Sequence, residues 1–201
     1  FAAYDFWAKP LGLLTLAAVL RRHGFSVSYI DCLDRFHPEA PKQDPAARCG
    51  RGPYLKTRLP TPAKFSDVPR RYSRYGILPA WFEKDLSALR RPDLILVGSM
   101  MTYWYPGVQE AVSLLRRAYP RTPVVLGGIY ATLCPGHARA SVDADRVLPG
   151  PMEETIGQAA GEMTGWPVSG GSKIENLDDL PLPALDLQRV AGYVPLLTSR
   201  G

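Results

Sequence analysis

Apolar residues recur with helical spacing in several parts of the chain. In two stretches they fall at i, i+3, i+4 and i+7, so that they share one face of a helix. These residues are Leu13, Leu16, Ala17 and Leu20 in the first stretch and Val108, Ala111, Val112 and Leu115 in the second. Gly24 follows a basic run, as is typical of a helix C-terminus. We therefore predict helices over residues 11–23 and around 108–115. Similar spacing predicts further helices near 82–89 and over 153–163.

Short apolar segments alternate with these helices. Residues 25–30 alternate apolar and polar side chains before Asp31, which predicts a strand that ends at a polar edge. Residues 94–97 and 124–126 are apolar throughout, and residues 146–148 form a third short run. Strands that are apolar on both faces are typical of a parallel sheet covered by helices on both sides.

This alternation predicts an α/β fold in which a doubly wound parallel sheet of the Rossmann or flavodoxin-like kind occupies residues 1–164. Ligands of such sheets bind beyond the carboxyl ends of the strands. The fold normally opens with a strand before its first helix, and FAAYDFWAK contains no β-branched run that would form one. We also expect residues 194–199 to begin a strand without a later partner, as in a chain that is part of a longer protein.

Two regions depart from the alternating pattern. Residues 35–79 are rich in Pro, Gly and positive charge and show no sustained period, which predicts an irregular insertion. Residues 165–201 begin with a flexible Ser-Gly-Gly-Ser stretch and continue as the Pro-punctuated segment LDDLPLPALDL. This composition predicts a linker that leads into a following domain.

Composition narrows the class of protein. No apolar run reaches the roughly 18 residues of a membrane span, and the N-terminal segment lacks the order of a signal peptide. Cys32, Cys49 and Cys134 form no CxxC pair, so neither a disulfide framework nor a zinc site is indicated. We expect a cytoplasmic protein with no membrane partner.

The positive charge is concentrated in the insertion. Its cations are Lys42, Arg48, Arg51, Lys56, Arg58, Lys64, Arg70, Arg71 and Arg74. They could bind an anionic partner, or they could be the solvated side chains of an irregular segment. No aromatic-basic motif accompanies them, which makes a nucleic-acid partner the less favoured case.

The loop after residues 94–97 carries the first group of candidate cofactor-binding residues. Gly98 allows a ligand to approach the backbone, and the hydroxyls of Ser99 and Thr102 offer hydrogen bonds. Met100 and Tyr103 add an apolar wall. The alternative is that the hydroxyls cap the next helix and that the aromatic residues cover the edge of the sheet.

The second group follows the strand at 124–126. Gly127 and Gly128 permit a positive φ or a close approach, and Tyr130 leads into a helix; Gly150 occupies the corresponding place after residues 146–148. An ordinary glycine turn is the alternative for each glycine taken singly. The pattern is not GxGxxG, which disfavours a dinucleotide. No histidine lies at a spacing that implies a catalytic triad, and no catalytic residue is predicted.

Five segments in this order resemble the N-terminal region of cobalamin-binding radical SAM proteins. They are KPLGLLTLAAVLRRHGFSVSYIDCLD, PDLILVGSMMTYWYPGVQEAV, PVVLGGIYATLCPGHA, DADRVLPGPMEET and LDDLPLPALDL. The resemblance implies a Rossmann-like domain that holds cobalamin, followed by a barrel whose CxxxCxxC motif binds an iron-sulfur cluster and S-adenosylmethionine. That motif does not occur in this chain, so the fragment is expected not to be catalytic alone.

The resemblance also implies roles for particular residues. Gly127 and Gly128 match the glycine pair that lies beside the corrinoid tail, and Gly150 matches the glycine of a later turn. The corrin would rest near Tyr103. The histidine that ligates cobalt from a DxHxxG motif in the methionine-synthase type is absent from YDFWAKPLG, so we expect no histidine ligand from this chain.

Three functions remain open at the level of the sequence. The first is the cobalamin-binding domain of a radical SAM enzyme, a class that includes methyltransferases. The second is a domain of the same fold that has lost the cofactor and acts as a docking or anionic-substrate recognition module. The third, a flavin or nucleotide protein, is disfavoured because no phosphate-binding glycine loop precedes the first helix.

Overall fold

The computed structural model describes residues 9–168, 174–190 and 192–195. The helices and strands, in chain order, are α1 (Leu11–Arg22), β1 (Lys56–Arg58), β2 (Ser73–Tyr75), α2 (Pro79–Ala88), β3 (Ile95–Ser99), α3 (Tyr105–Ala118), β4 (Val124–Gly128), α4 (Ile129–Leu133), α5 (Pro135–Ser141), β5 (Arg146–Val147) and α6 (Ile156–Thr164). The predicted helices at 11–23, 82–89 and 108–115 are confirmed by α1, α2 and α3.

A three-stranded parallel sheet organises the fold. Its order is β3-β4-β5, with Ile95 opposite Val124 and Leu126 opposite Val147. Apolar residues make up most of β3 and β4, and Val124 and Leu126 are completely buried. The prediction of an α/β fold with a parallel sheet is therefore confirmed.

Helices cover both faces of this sheet. On one face Ile95 and Val97 of β3 pack against α2 and α3, with Leu86 and Leu115 in the same cluster. On the other face Leu94 and Leu96 pack against α1 and α6, where Val19, Leu20, Ile156 and Ala160 form the cluster. The alternation of β3 side chains between the two helical layers follows from the two-residue period of a strand.

The strand predicted at residues 25–30 is absent. These residues run extended after α1, but they form no ladder with another described strand. The alternating pattern was sufficient to predict the extended backbone, whereas a strand also requires a partner with free hydrogen-bonding groups. Residues 153–155 are likewise outside the helix predicted over 153–163, because α6 begins only at Ile156.

The insertion at 35–79 is more ordered than its composition predicts. Within it β1 and β2 form an antiparallel hairpin, with Lys56 opposite Tyr75. Arg74 joins the hairpin to α3 through Nε, 3.1 Å from Oε2 of Glu110. His37 is buried and stacks on Trp81 of α2, with ring centroids 5.0 Å apart. The insertion is therefore attached to the helical layer at two places.

The segment predicted as a linker packs against α1 over its described part. The backbone N–H of Ala184 donates to the carbonyl of Leu14 at 3.0 Å, and Ala184 is buried beside Ala17 and Ala18. Asp186 accepts from Arg21 at 2.9 Å. The strand predicted at 194–199 lies mostly outside the described residues. Among the described helices, none combines the length and apolar character needed to cross a bilayer.

Candidate functional site

Three loops follow the three parallel strands, and all of them lie at the carboxyl edge of the sheet. The first continues from Ser99 into a short 3-10 helix, Thr102–Trp104, which packs against α4. The second begins at Gly127 and Gly128, which the structure places in the last two positions of β4 rather than in a turn. The third contains Gly150, and the parallel register brings the three loops to one edge.

Gly128 is constrained by the neighbouring strand. Its φ of 91° lies in the left-handed region, and a Cβ there would be 2.3 Å from the carbonyl oxygen of Ser99. Ser99 is buried, and its hydroxyl donates to the carbonyl of Gly127 at 2.6 Å. The close approach that the sequence indicated at the glycine pair is therefore made, at Gly128, by the backbone of β3.

Gly98, Gly127 and Gly150 differ from Gly128. A Cβ on Gly127 would lie 3.7 Å from the carbonyl oxygen of Leu148, an ordinary contact, and a Cβ on Gly150 would meet nothing within 4 Å. Gly150 nevertheless has a φ of 85°, which favours glycine. Gly98 is exposed beside Leu13 of α1. Gly98 therefore exposes backbone along the edge of the sheet, whereas Gly127 and Gly150 are half-buried there.

Thr132 links two of the loops and was not singled out by the sequence. Its hydroxyl donates to the carbonyl of Gly128 at 2.9 Å and accepts from the backbone N–H of Gly150, also at 2.9 Å. The hydrogen bond between Ser99 and Gly127 joins the first loop to the second in the same way. A chain of side-chain hydrogen bonds therefore holds all three loops together.

Exposed apolar side chains lie on the same edge. Tyr103 is 51% exposed, Ile129 is 51% exposed and Leu133 is 67% exposed. Ile129 and Leu133 are four residues apart on α4 and share one face of this helix. The sequence analysis did not single them out, because residues 130–132 were predicted to lead into a helix and α4 was not predicted as an element of its own. Large apolar side chains clustered on a surface are typical of a binding site.

The other predicted site residues have different environments. Met100 and Thr102 are half-buried within the first loop. Tyr130 is only 1% exposed; its hydroxyl lies 2.8 Å from Nδ1 of His137, and burial raises the pKa of this phenol. The side chain of Tyr130 therefore packs in the core and does not face the rim of the three loops.

Charge near this edge comes from Asp31, which follows the extended segment. Burial, as the main cause, raises the pKa of Asp31 to about 6, while the N–H of Leu33 donates to it at 2.8 Å and opposes the shift. Lys9 lies 4.8 Å from the ring centroid of Tyr193, and burial lowers the pKa of its amine. Both groups lie beside the start of α1.

The parts of the three loops nearest the strands form an uncharged rim of residues 98–104, 127–133 and 148–152, and the third loop continues with Glu153 and Glu154 before α6 begins. Such a rim suits a bulky ligand that is neutral over most of its surface, and it offers no arginine or lysine to a phosphate-rich one. Within the described ranges, no three His, Cys, Asp or Glu side chains converge where they could hold a metal ion.

The accessible glycine backbone, the uncharged loops and the exposed apolar side chains together fit a corrinoid that contacts the protein through its periphery. They provide no side chain that would ligate its cobalt. No family model, curated protein or solved structure matches the chain.

Proposed function

We propose that this chain is the cobalamin-binding domain of a radical SAM enzyme and that it holds the corrinoid at the carboxyl edge of its sheet. The single observation that carries the proposal is the uncharged rim of three joined loops with apolar side chains exposed on it. Open α/β sheets bind their ligands at this edge. The resemblance of five ordered segments to that protein class supports the choice of cofactor.

Different residues of the rim contact different parts of the cofactor in this proposal. The backbone at Gly98 and Gly127 lies beside the nucleotide tail, and the side chains of Tyr103, Ile129 and Leu133 cover the corrin. Cobalamin, when bound, would carry an alkyl group for transfer to a substrate held by the S-adenosylmethionine and iron-sulfur domain. In methyltransferases of this class the group is methyl. This chain orients the cofactor and shields one side of it from water.

The test compares two leucine variants in hydroxocobalamin binding. The wild-type chain should retain the cofactor after desalting, with a shifted visible spectrum. Leu133→Asp places a charge on the apolar rim and should weaken binding at least tenfold, or about 1.4 kcal/mol. Leu182→Asp makes the same change at a leucine that is 89% exposed outside the rim, and it should bind as wild type.

Three outcomes contradict the proposal. They are no cofactor uptake at high micromolar hydroxocobalamin, equal loss in both leucine variants, and tighter binding of FMN than of hydroxocobalamin. The last would indicate a flavin protein of the same fold. Circular dichroism of each variant separates a failure to bind from a failure to fold.

A second candidate function rests on the hairpin. Residues 42–74 contain nine basic and two acidic side chains, a charge of +7, whereas the whole chain carries +5. Lys56 and Arg58 are exposed on one face of β1, because residues two apart in a strand point the same way. We infer that, if the domain serves recognition and not cofactor binding, an acidic polypeptide docks on this face.

The docking function is tested with a peptide of ten glutamates labelled with a fluorophore. Binding should weaken steeply between 50 and 300 mM salt, since contacts between exposed charges are screened (at about 0.1 M the Debye length is about 10 Å). Lys56→Glu combined with Arg58→Glu should reduce affinity at least tenfold. Arg121→Glu combined with Arg139→Glu reverses two exposed charges elsewhere and should leave affinity within twofold. Equal effects of the two pairs would reject a site on the hairpin.

A further inference from the structure

The third loop of the rim has an unequal number of backbone donors and acceptors. Its centre is Pro149-Gly150-Pro151, in which neither proline has an N–H group. The one N–H of these three residues, that of Gly150, donates to the hydroxyl of Thr132 at 2.9 Å. Residues 149–151 therefore have no N–H left to donate to a ligand.

The carbonyl groups of the same three residues remain available as acceptors. In the part of the chain that the structure describes, no donor reaches the carbonyl oxygens of residues 149–151. The next carbonyl, that of Met152, already accepts from the N–H groups of Thr155 and Ile156. Pro149 and Pro151 are exposed and Gly150 is half-buried, so the available acceptors are not enclosed in the core.

Thr132 fixes this arrangement from α4. Its hydroxyl donates its own proton to the carbonyl of Gly128 at 2.9 Å, so toward Gly150 it can only accept. The prolines on either side fix their own φ angles, and Gly150 has a φ of 85°, so the loop has little freedom to turn its N–H elsewhere. The direction of the Gly150 N–H therefore depends on Thr132.

The charge beside the loop has the same sign as its acceptors. Glu153 and Glu154 follow Pro151 within three residues, before α6 begins at Ile156. Their carboxylates disfavour an anion near the N–H groups that precede α6. Carbonyl oxygens and two acidic side chains together suit a ligand group that donates hydrogen bonds and carries no negative charge.

We propose that the third loop recognises a primary amide at the periphery of the ligand through the carbonyl oxygens of residues 149–151. Thr132 is the positioning residue that makes the loop selective, because it occupies the Gly150 N–H. A primary amide has two N–H donors, whereas a carboxylate has none. Cobalamin carries primary amides around its corrin ring, and its propionamide arms reach farthest. The inference therefore rests on the proposed function and names the part of the cofactor that this loop contacts.

The test compares hydroxocobalamin with derivatives that are changed at a single propionamide. The b-, d- and e-monocarboxylic acids each replace one amide by a carboxylate, and the methyl ester of each acid is neutral but has no N–H. At one of these positions both the acid and the ester should bind the wild-type chain at least about tenfold more weakly than hydroxocobalamin, because the loop carbonyls lose their donor. At the other positions the esters should bind within about threefold of hydroxocobalamin.

Two variants of Thr132 test the source of the selectivity. Thr132→Val keeps the shape of the side chain but leaves the Gly150 N–H able to donate to a carboxylate, so the loss of affinity for the sensitive acid should fall below about threefold. Thr132→Ser keeps the hydroxyl and should retain the wild-type loss. Without any cofactor, amide exchange at Gly150, followed by NMR, should quicken at least about tenfold in Thr132→Val and stay unchanged in Thr132→Ser.

Failure of this inference and failure of the proposed function give different results. If hydroxocobalamin binds and every acid and ester binds as well as it does, the loop does not recognise an amide, although the proposed function stands. Acids that bind more tightly than hydroxocobalamin would show that the loop recognises an anion. Unchanged exchange at Gly150 in Thr132→Val would show that Thr132 does not hold this N–H. If hydroxocobalamin does not bind at all, the proposed function and the inference are both wrong.

Discussion

At the scale of single residues, the glycine pair correctly predicted a close approach to the backbone, but at Gly128 the approaching group belongs to the protein and not to a ligand. Two adjacent glycines after a buried strand indicate a backbone that something approaches closely. At Gly128 that approach is made by Ser99 of the neighbouring strand, and the positive φ adds a second requirement for glycine. Gly127 has neither constraint; it is half-buried, and its carbonyl accepts from the Ser99 hydroxyl.

This difference predicts a large effect at Gly128. Gly128→Ala should lower the free energy of unfolding by about 2–4 kcal/mol, because Cβ collides with the Ser99 backbone and the left-handed conformation is strained. Gly136→Ala is the control: this glycine lies in α5 with open space around its Cβ, and alanine should stabilise the helix by up to about 1 kcal/mol. Urea denaturation of both variants measures the difference, and equal midpoints would contradict the structure.

Individual residues also show which parts of the candidate site the sequence could predict and which it could not. Gly98, Ser99 and Gly150 were correctly placed on one edge, because parallel strands end together. Tyr130 was grouped with them by proximity in sequence, yet the turn of α4 carries its ring into the core. Thr132 carried no recognisable signal, since its role depends on Gly150, which is 18 residues away.

At the scale of elements, the spacing of apolar residues correctly predicted the helices and strands that local sequence determines. The apolar faces of α1 and α3 and the apolar run of β4 were sufficient to locate these elements. Strand pairing was not predictable at residues 25–30, because an extended segment becomes a strand only if another strand pairs with it. It was also not predictable at Lys56–Arg58 and Ser73–Tyr75, because three residues are too few to show a period of two. The sequence predicted that a helix begins at Glu153, but α6 begins at Ile156.

The start of β4 depends on one carboxylate. Asp145 accepts from the buried backbone N–H of Val124 at 2.6 Å and from Arg116 at 2.9 Å. Burial acts to raise the pKa of Asp145, but these two donors outweigh it and hold the pKa below its usual range. The carboxylate thus satisfies the Val124 donor on the side of β4 that faces β5.

Replacing this group should therefore weaken the sheet. Asp145→Ala leaves the Val124 N–H without an acceptor in the core and should cost about 1–3 kcal/mol of unfolding free energy. Asp143→Ala removes a carboxylate that also contacts Arg116, at 3.3 Å, but it is 80% exposed and bonds no buried donor. That control should change stability by less than about 0.5 kcal/mol. A similar loss in both variants would assign the effect to Arg116 instead.

At the scale of the whole molecule, the C-terminal segment is part of the domain over its described residues. The prolines and the Ser-Gly-Gly-Ser stretch predicted a linker, because composition indicates how flexible a segment is but not whether it packs on another part of the chain. In the structure Ala184 and Leu187 pack on α1 and Val27. The segment thus covers the helix whose first turn borders the candidate site.

This docking predicts that a change far along the chain weakens the N-terminal half. Ala184→Asp would place a carboxylate in the apolar contact with Ala17 and Ala18, and we expect a loss of about 2–3 kcal/mol and faster hydrogen exchange in α1. Leu182→Asp introduces the same charge two residues earlier at an exposed side chain and should leave both quantities unchanged. If α1 exchanges equally fast in the two variants, Ala184 does not dock on α1 and the segment is a linker.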